Sequence, residues 1–86
     1  MKLLNREIDM ISWTSREGVV TPVRFRILEN GESVVIRVDR ILQTEQTRFA
    51  GTPTLYYRCS SNVKGTEKIY ELSYNCSNQK WLLRKM

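Results

Sequence analysis

The chain has 86 residues and a formal net charge of +5, with nine arginines among its fourteen basic side chains. It has no histidine and only two cysteines, which removes the commonest general base, any serine–histidine pair and a complete zinc shell. A chain this short buries only about 60% of the surface its unfolded form exposes, so one small core and no enclosed active site are expected. No window approaches the roughly 18 apolar residues of a membrane span and the amino terminus carries no long apolar stretch, so a soluble, cytoplasmic placement with both thiols reduced is expected. The basic excess is spread along the chain and forms no polybasic tail.

Residues 1–7 are expected to stand apart from the domain without fixed structure. Ile8–Thr14 is mostly β-branched, aromatic or apolar and runs into Ser15-Arg-Glu-Gly18, which reads as a first strand and its turn. A helix over residues 2–13 is the alternative. Val19-Val20 leads through Pro22, which cannot donate to a ladder and marks an edge or a bulge. Then comes the strongest local signal: Val23–Leu28, the turn Glu29-Asn-Gly-Glu32, and Val34–Asp39. Asn-Gly tolerates positive φ at both central positions of a type I′ turn, so the register follows. Val23 faces Val38, Phe25 faces Ile36 and Ile27 faces Val34, giving one apolar face. The opposite face sets Arg24 across from Arg37 and Arg26 across from Val35, and like charges directly opposed destabilise a sheet pair. Beyond Val38 the alternation slips at Asp39-Arg40-Ile41-Leu42, which predicts a bulge or sharp bend.

Gln43–Thr54 is polar and ends in Thr52-Pro53, so part of it reads as loop while its first half extends the preceding strand. Leu55–Ser60 is a strand, Lys64-Gly65 a turn, and Lys68–Tyr74 its partner. Centred there, Cys59 faces Tyr70, Tyr57 faces Leu72 and Leu55 faces Tyr74, with Arg58 opposite Glu71 on the other side. A turn at Ser77-Asn-Gln79 leads to a closing strand, Trp81–Lys85. The expected fold is a single all-β domain over residues 8–86, a five- to six-stranded antiparallel meander forming a strongly curved sheet or a small, partly open barrel.

Cys59 lies in phase with Tyr57 and Leu55, so it reads as a buried apolar residue and not as a nucleophile. Cys76 lies about 20 Å further along the sheet at some 3.4 Å per strand residue, too far for a disulfide. Asn75-Cys-Ser77 matches the glycosylation pattern by chance in a chain without a secretion signal. Trp13 and Trp81 read as core plugs. Arg24, Arg26 and Arg37, with Tyr56 and Arg58 on the outer surface, form a candidate platform for nucleic acid, where phosphates meet cations and a base stacks on an aromatic ring. The competing reading is a solvated face paired to Glu71, Glu29 or Glu32. The leading functional expectation is a non-enzymatic protein-interaction or structural module using an exposed sheet face or edge, without cofactor or metal. Nucleic-acid binding through the arginine face is the alternative, and pairing with a second copy through an edge strand is a further option.

Ile8-Asp-Met10, Pro22-Val-Arg-Phe-Arg26, Val38-Asp39, Ala50-Gly51, Tyr57-Arg-Cys59, Tyr70–Tyr74 and Trp81-Leu-Leu83 together resemble a family of small hypothetical proteins from anaerobic Gram-positive bacteria. The resemblance covers residues 8–86 and rests on scattered structural positions. That family has no established activity, so it implies no functional residue here. The chain departs from its pattern at Asn75-Cys-Ser-Asn-Gln79, where relatives carry an acidic last hairpin containing cysteine.

Overall fold

A computed structural model describes all 86 residues, Met1–Met86. Its seven strands are β1 (Leu3–Thr14), β2 (Val20–Glu29), β3 (Glu32–Arg37), β4 (Arg40–Phe49), β5 (Thr52–Val63), β6 (Thr66–Asn75) and β7 (Trp81–Lys85). No helix is present, and none is long and apolar enough to cross a membrane.

The Asn30-Gly31 turn adopts φ of 52° and 79°, both in the left-handed region that asparagine and glycine tolerate. It sets Phe25 against Ile36, Arg26 against Val35 and Ile27 against Val34, as the alternation requires. The β5–β6 hairpin likewise pairs Cys59 with Tyr70, Tyr57 with Leu72 and Arg58 with Glu71.

The expected strand count was low because β4 is a full strand. Gln43–Phe49 continues the ladder with β5, and the chain then reverses within Ala50-Gly51 at φ of 51° and 82°. From Gln43 to Arg48 its side chains are polar on both faces, and β4, at the sheet edge, contributes no residue to the core. The segment before Ile8, expected to lack fixed structure, forms the first half of β1, which begins at Leu3 and pairs with β7.

The strands form one sheet in the order β3-β2-β1-β7-β6-β5-β4, and no ladder joins β3 to β4. It is therefore not the simple meander expected from successive hairpins. β1 serves two neighbourhoods: Leu3–Ile8 pairs with β7, and Asp9–Thr14 pairs with β2. A three-stranded leaf (the second half of β1, β2 and β3) thus faces a five-stranded leaf (the first half of β1, β7, β6, β5 and β4).

The core fills the space between them. Phe25, Ile27 and Ile36 come from the smaller leaf, and Tyr57, Cys59, Tyr70, Leu72, Trp81 and Leu83 from the larger. Phe25 meets the Tyr70 ring edge-on at 5.4 Å between centroids, a favoured aromatic geometry. Tyr57 donates its hydroxyl across the gap to the Val20 carbonyl at 2.5 Å.

Two sequence expectations fail on the smaller leaf, one at a bulge in β2 and one by the alternation of β1. Ile11 pairs with Arg24 while the next residue, Ser12, pairs with Pro22, so Val23 is the extra residue of a β-bulge. The phase flips there. Pro22 turns inward and is buried, and Val23 is 40% exposed instead of joining the apolar face. On β1 the alternation runs on unbroken: Ile8 and Met10 pack against the core, so Ile11 and Trp13 face outward, and Trp13 is 63% exposed instead of plugging the core. Trp81 is buried as expected.

The leaves are stapled at the bend between β3 and β4. Ser61 donates its hydroxyl to the Arg37 carbonyl at 2.5 Å and lies 2.6 Å from the Tyr70 hydroxyl. A serine has one O–H to give, so Tyr70 donates to Ser61. Asp39 completes the junction: its carboxylate accepts the Asn62 N–H at 2.8 Å, and its own N–H donates to the Ser60 carbonyl at 3.2 Å.

Removing the central hydroxyl leaves two buried groups unpartnered. Ser61→Ala is expected to lower unfolding free energy by about 1–3 kcal/mol, the usual cost of an orphaned buried partner. A double-mutant cycle with Tyr70→Phe in urea checks it, because simple addition of the two single effects would show that the hydroxyls do not act as a unit. Phe25→Ala, which empties a fully buried site between the leaves, is expected to cost about 3–5 kcal/mol in the same assay.

Candidate functional site

A leaf of three strands has an inner face, spent on the core, and an outer face with nothing over it. By register that outer face carries Ile11 and Trp13 from β1, Arg24, Arg26 and Leu28 from β2, and Val35 and Arg37 from β3. Ile11, Trp13, Leu28 and Val35 are all more than half exposed. Scattered exposed apolar residues are ordinary, but here Ile11 and Trp13 adjoin along β1, with Val35 and Leu28 further along the same face beyond Arg24.

The charges on this face divide into two kinds. Arg26 pairs in register with Asp9 and holds its carboxylate through Nε at 3.1 Å and Nη2 at 2.5 Å. The pair is exposed on both sides, so it adds at most about 1 kcal/mol. Arg24 and Arg37 stand directly opposite one another, and neither guanidinium has a carboxylate within 4.0 Å. The adjacent residue across β1 is Ile11, which offsets nothing.

The remaining residues of the proposed nucleic-acid platform sit on the outer face of the larger leaf. Arg58 pairs with Glu71 at 3.6 Å. Tyr56 lies beneath the Arg84 guanidinium, 5.6 Å from its ring centroid, and Phe49 shares the same cation at 5.9 Å. The structure therefore groups Arg24, Arg26 and Arg37 on one leaf, and engages Tyr56 and Arg58 with other partners on the second. Trp13 was the aromatic residue that sequence reasoning assigned to the core. The signal that could have moved it was the alternation of β1, in which Ile8 and Met10 share one face and Ile11 and Trp13 the other.

Elsewhere, an open recess of about 1130 Å³ lies beside the β2–β3 turn, floored by Ile8, Met10, Ile27 and Trp81. Most of its rim charges are engaged, Arg26 with Asp9 and Lys80 with Glu7, while Arg6 donates to the Leu28 carbonyl; Glu29 has no ion-pair partner. No group of three His, Cys, Asp or Glu side chains converges anywhere to hold a metal. No family model, curated protein or solved structure matches this chain.

Both cysteines are free, Cys59 buried and Cys76 exposed. Burial pushes the Cys59 thiol from 9.0 up to about 12, so no reactive thiolate forms there near neutrality. An aromatic disulfide reagent is therefore expected to label one thiol of the native protein at once and the second only after unfolding. Cys76→Ser should leave the native protein unlabelled, and labelling of Cys59 at the same rate would overturn its enclosure.

Burial also pushes the Tyr57 and Tyr70 hydroxyls from 10.0 up to about 12; the Ser61 hydrogen bond pulls Tyr70 back only in part. All three groups hold their protons to higher pH when folded than when unfolded. Below about pH 8 both states carry these protons and the groups leave stability level. Above it the unfolded chain loses them first, so stability falls as pH rises towards 12. Each group contributes at most about 1.4 kcal/mol per pH unit, a slope that sets in through the unfolded value of each, first for Cys59 and about one unit later for the two tyrosines. Urea midpoints measured from pH 8 to 11 test this, and Tyr70→Phe should remove about one third of the slope.

Proposed function

We propose that this protein is a non-enzymatic protein-interaction module that binds through the outer face of its three-stranded leaf. One observation carries the reading: Ile11, Trp13 and Val35 are exposed together beside Arg24 and Arg37, two opposed cations with no carboxylate in reach. Protein interfaces are enriched in tryptophan and arginine and concentrate apolar area at their centre. Two opposed arginines also weaken an isolated sheet pair, so their presence is better explained by a binding role than by stability.

Nucleic-acid binding uses the same arginines, and the exposed Trp13 offers one ring for a base. The aliphatic remainder weighs against it. Single-stranded nucleic acid is held by a run of stacking rings along a basic groove, and Ile11, Leu28 and Val35 offer no ring.

Photo-crosslinking tests the proposal. With p-benzoylphenylalanine in place of Val35, at the edge of the patch, irradiation in cell extract is expected to give adducts that a protease destroys and a nuclease leaves intact. Trp13→Ala in the same background should cut the yield several-fold without changing the melting temperature. Nuclease-sensitive adducts would instead support nucleic acid, and adducts indifferent to Trp13→Ala would remove this face from the account.

A further inference from the structure

We infer that the partner of this face is an acidic polypeptide segment bearing an apolar anchor, and not a second copy of this chain. The inference rests on the protein-interaction reading and names the chemistry that fits it. Arg24 and Arg37 are directly opposite across an antiparallel pair, which places their Cβ atoms about 4.5–5.5 Å apart. Two guanidiniums at that separation converge on one carboxylate, each with a planar fork suited to its two oxygens. Ile11 is the cross-strand neighbour of Arg24, and Trp13 lies two residues further along β1 on the same face, about 7 Å away. A segment that seats a carboxylate between the arginines therefore sets an apolar side chain against Ile11 or Trp13 when the two are one or two residues apart.

Charge argues against a second copy. A two-fold contact puts the same patch on both sides, so Arg24 and Arg37 meet either their own equivalents, where the axis passes through them, or another part of the same face, which has no free carboxylate to give them. The one carboxylate on the face, Asp9, is held by Arg26. The chain as a whole is five charges positive. An acidic partner is attracted by that field and neutralises the pair that the fold leaves unbalanced.

Three fluorescent probes test the inference by anisotropy against the intact protein: a random copolymer of glutamate and tyrosine, polyglutamate of equal length, and a thymidine oligonucleotide. The copolymer is expected to bind about tenfold more tightly than polyglutamate, and the binding should weaken steeply with salt. Arg24→Ala/Arg37→Ala should weaken both acidic polymers at least tenfold. Trp13→Ala should bring the copolymer down to the level of polyglutamate. Arg48→Ala/Arg58→Ala, which removes equal charge from the other leaf, should leave the contrast in place, and melting curves show that each variant folds.

Equal binding of the two acidic polymers, or indifference to the Arg24/Arg37 change, would overturn the inference. So would tighter, arginine-dependent binding of the oligonucleotide, or a concentration-dependent dimer on gel filtration that Trp13→Ala dissolves. Protein adducts at position 35 alongside failure of the acidic probes would sink the acidic partner and leave the interaction module standing. Failure of both removes the module as well.

Discussion

Only Val38 and Asp39 lie between β3 and β4, yet those strands are the two outermost of a seven-stranded sheet. If the sheet were flat, six gaps of about 4.8 Å would set its edges about 29 Å apart. From Arg37 to Arg40 the chain reaches about 10 Å at full extension. The sheet must therefore roll until its first and last strands meet at one corner, and the rest of the molecule follows from that. Rolling folds the leaf containing Phe25 over the leaf containing Tyr70, encloses the core between them, and forces β1 to turn from β7 to β2 partway along its length. The bend leaves polar backbone in a crowded place. Ser61 and Asp39 satisfy it, and no buried side-chain polar atom is left without a partner.

Much of this was legible in the chain, and the reasons are local. Asn30-Gly31 and Lys64-Gly65 each fix a hairpin register, and strict alternation on both sides leaves only one face apolar, so Phe25 against Ile36 and Cys59 against Tyr70 follow from sequence. The slip after Val38 announced the corner, and an irregularity follows between Ile41 and Gln43. What sequence did not reveal is non-local. From Gln43 to Arg48, β4 is polar on both faces because it borders solvent, and a stretch without an apolar face has no period to detect. Trp13 is a large apolar residue in a run with apolar side chains on both faces, and only the pairing of Met10 with the buried Phe25 decides that Ile11 and Trp13 face outward. The pairing of β1 with β7 joins the two ends of the chain, a contact that no window of neighbouring residues contains.

The candidate site was half legible for the same reason. Cross-strand pairing in a hairpin is a local property, so the opposition of Arg24 and Arg37 could be read directly. Whether a carboxylate from elsewhere meets them depends on β1, which arrives from another part of the sequence. β1 brings Asp9 to Arg26 and Ile11 to Arg24. A shift of one pair along the ladder would have compensated the other arginine.

Three arginines on comparable positions thus receive different treatment. Arg26 and Arg58 each meet a carboxylate directly across the ladder, Asp9 and Glu71, as cross-strand pairing favours. Arg24 meets an arginine on one side and an isoleucine on the other. Screening by solvent makes the repulsion small at a fully exposed site, well under the few kcal/mol that a buried clash would cost, so the fold tolerates it. The same exposure makes the pair available. On the proposed reading, a carboxylate brought in by a partner would lose little hydration at first contact and gain two forked donors, while Ile11 and Trp13 beside it would exclude water as the contact formed. Closing out that water lowers the local dielectric and strengthens the ion pairing, so apolar and charged contacts on this face reinforce one another.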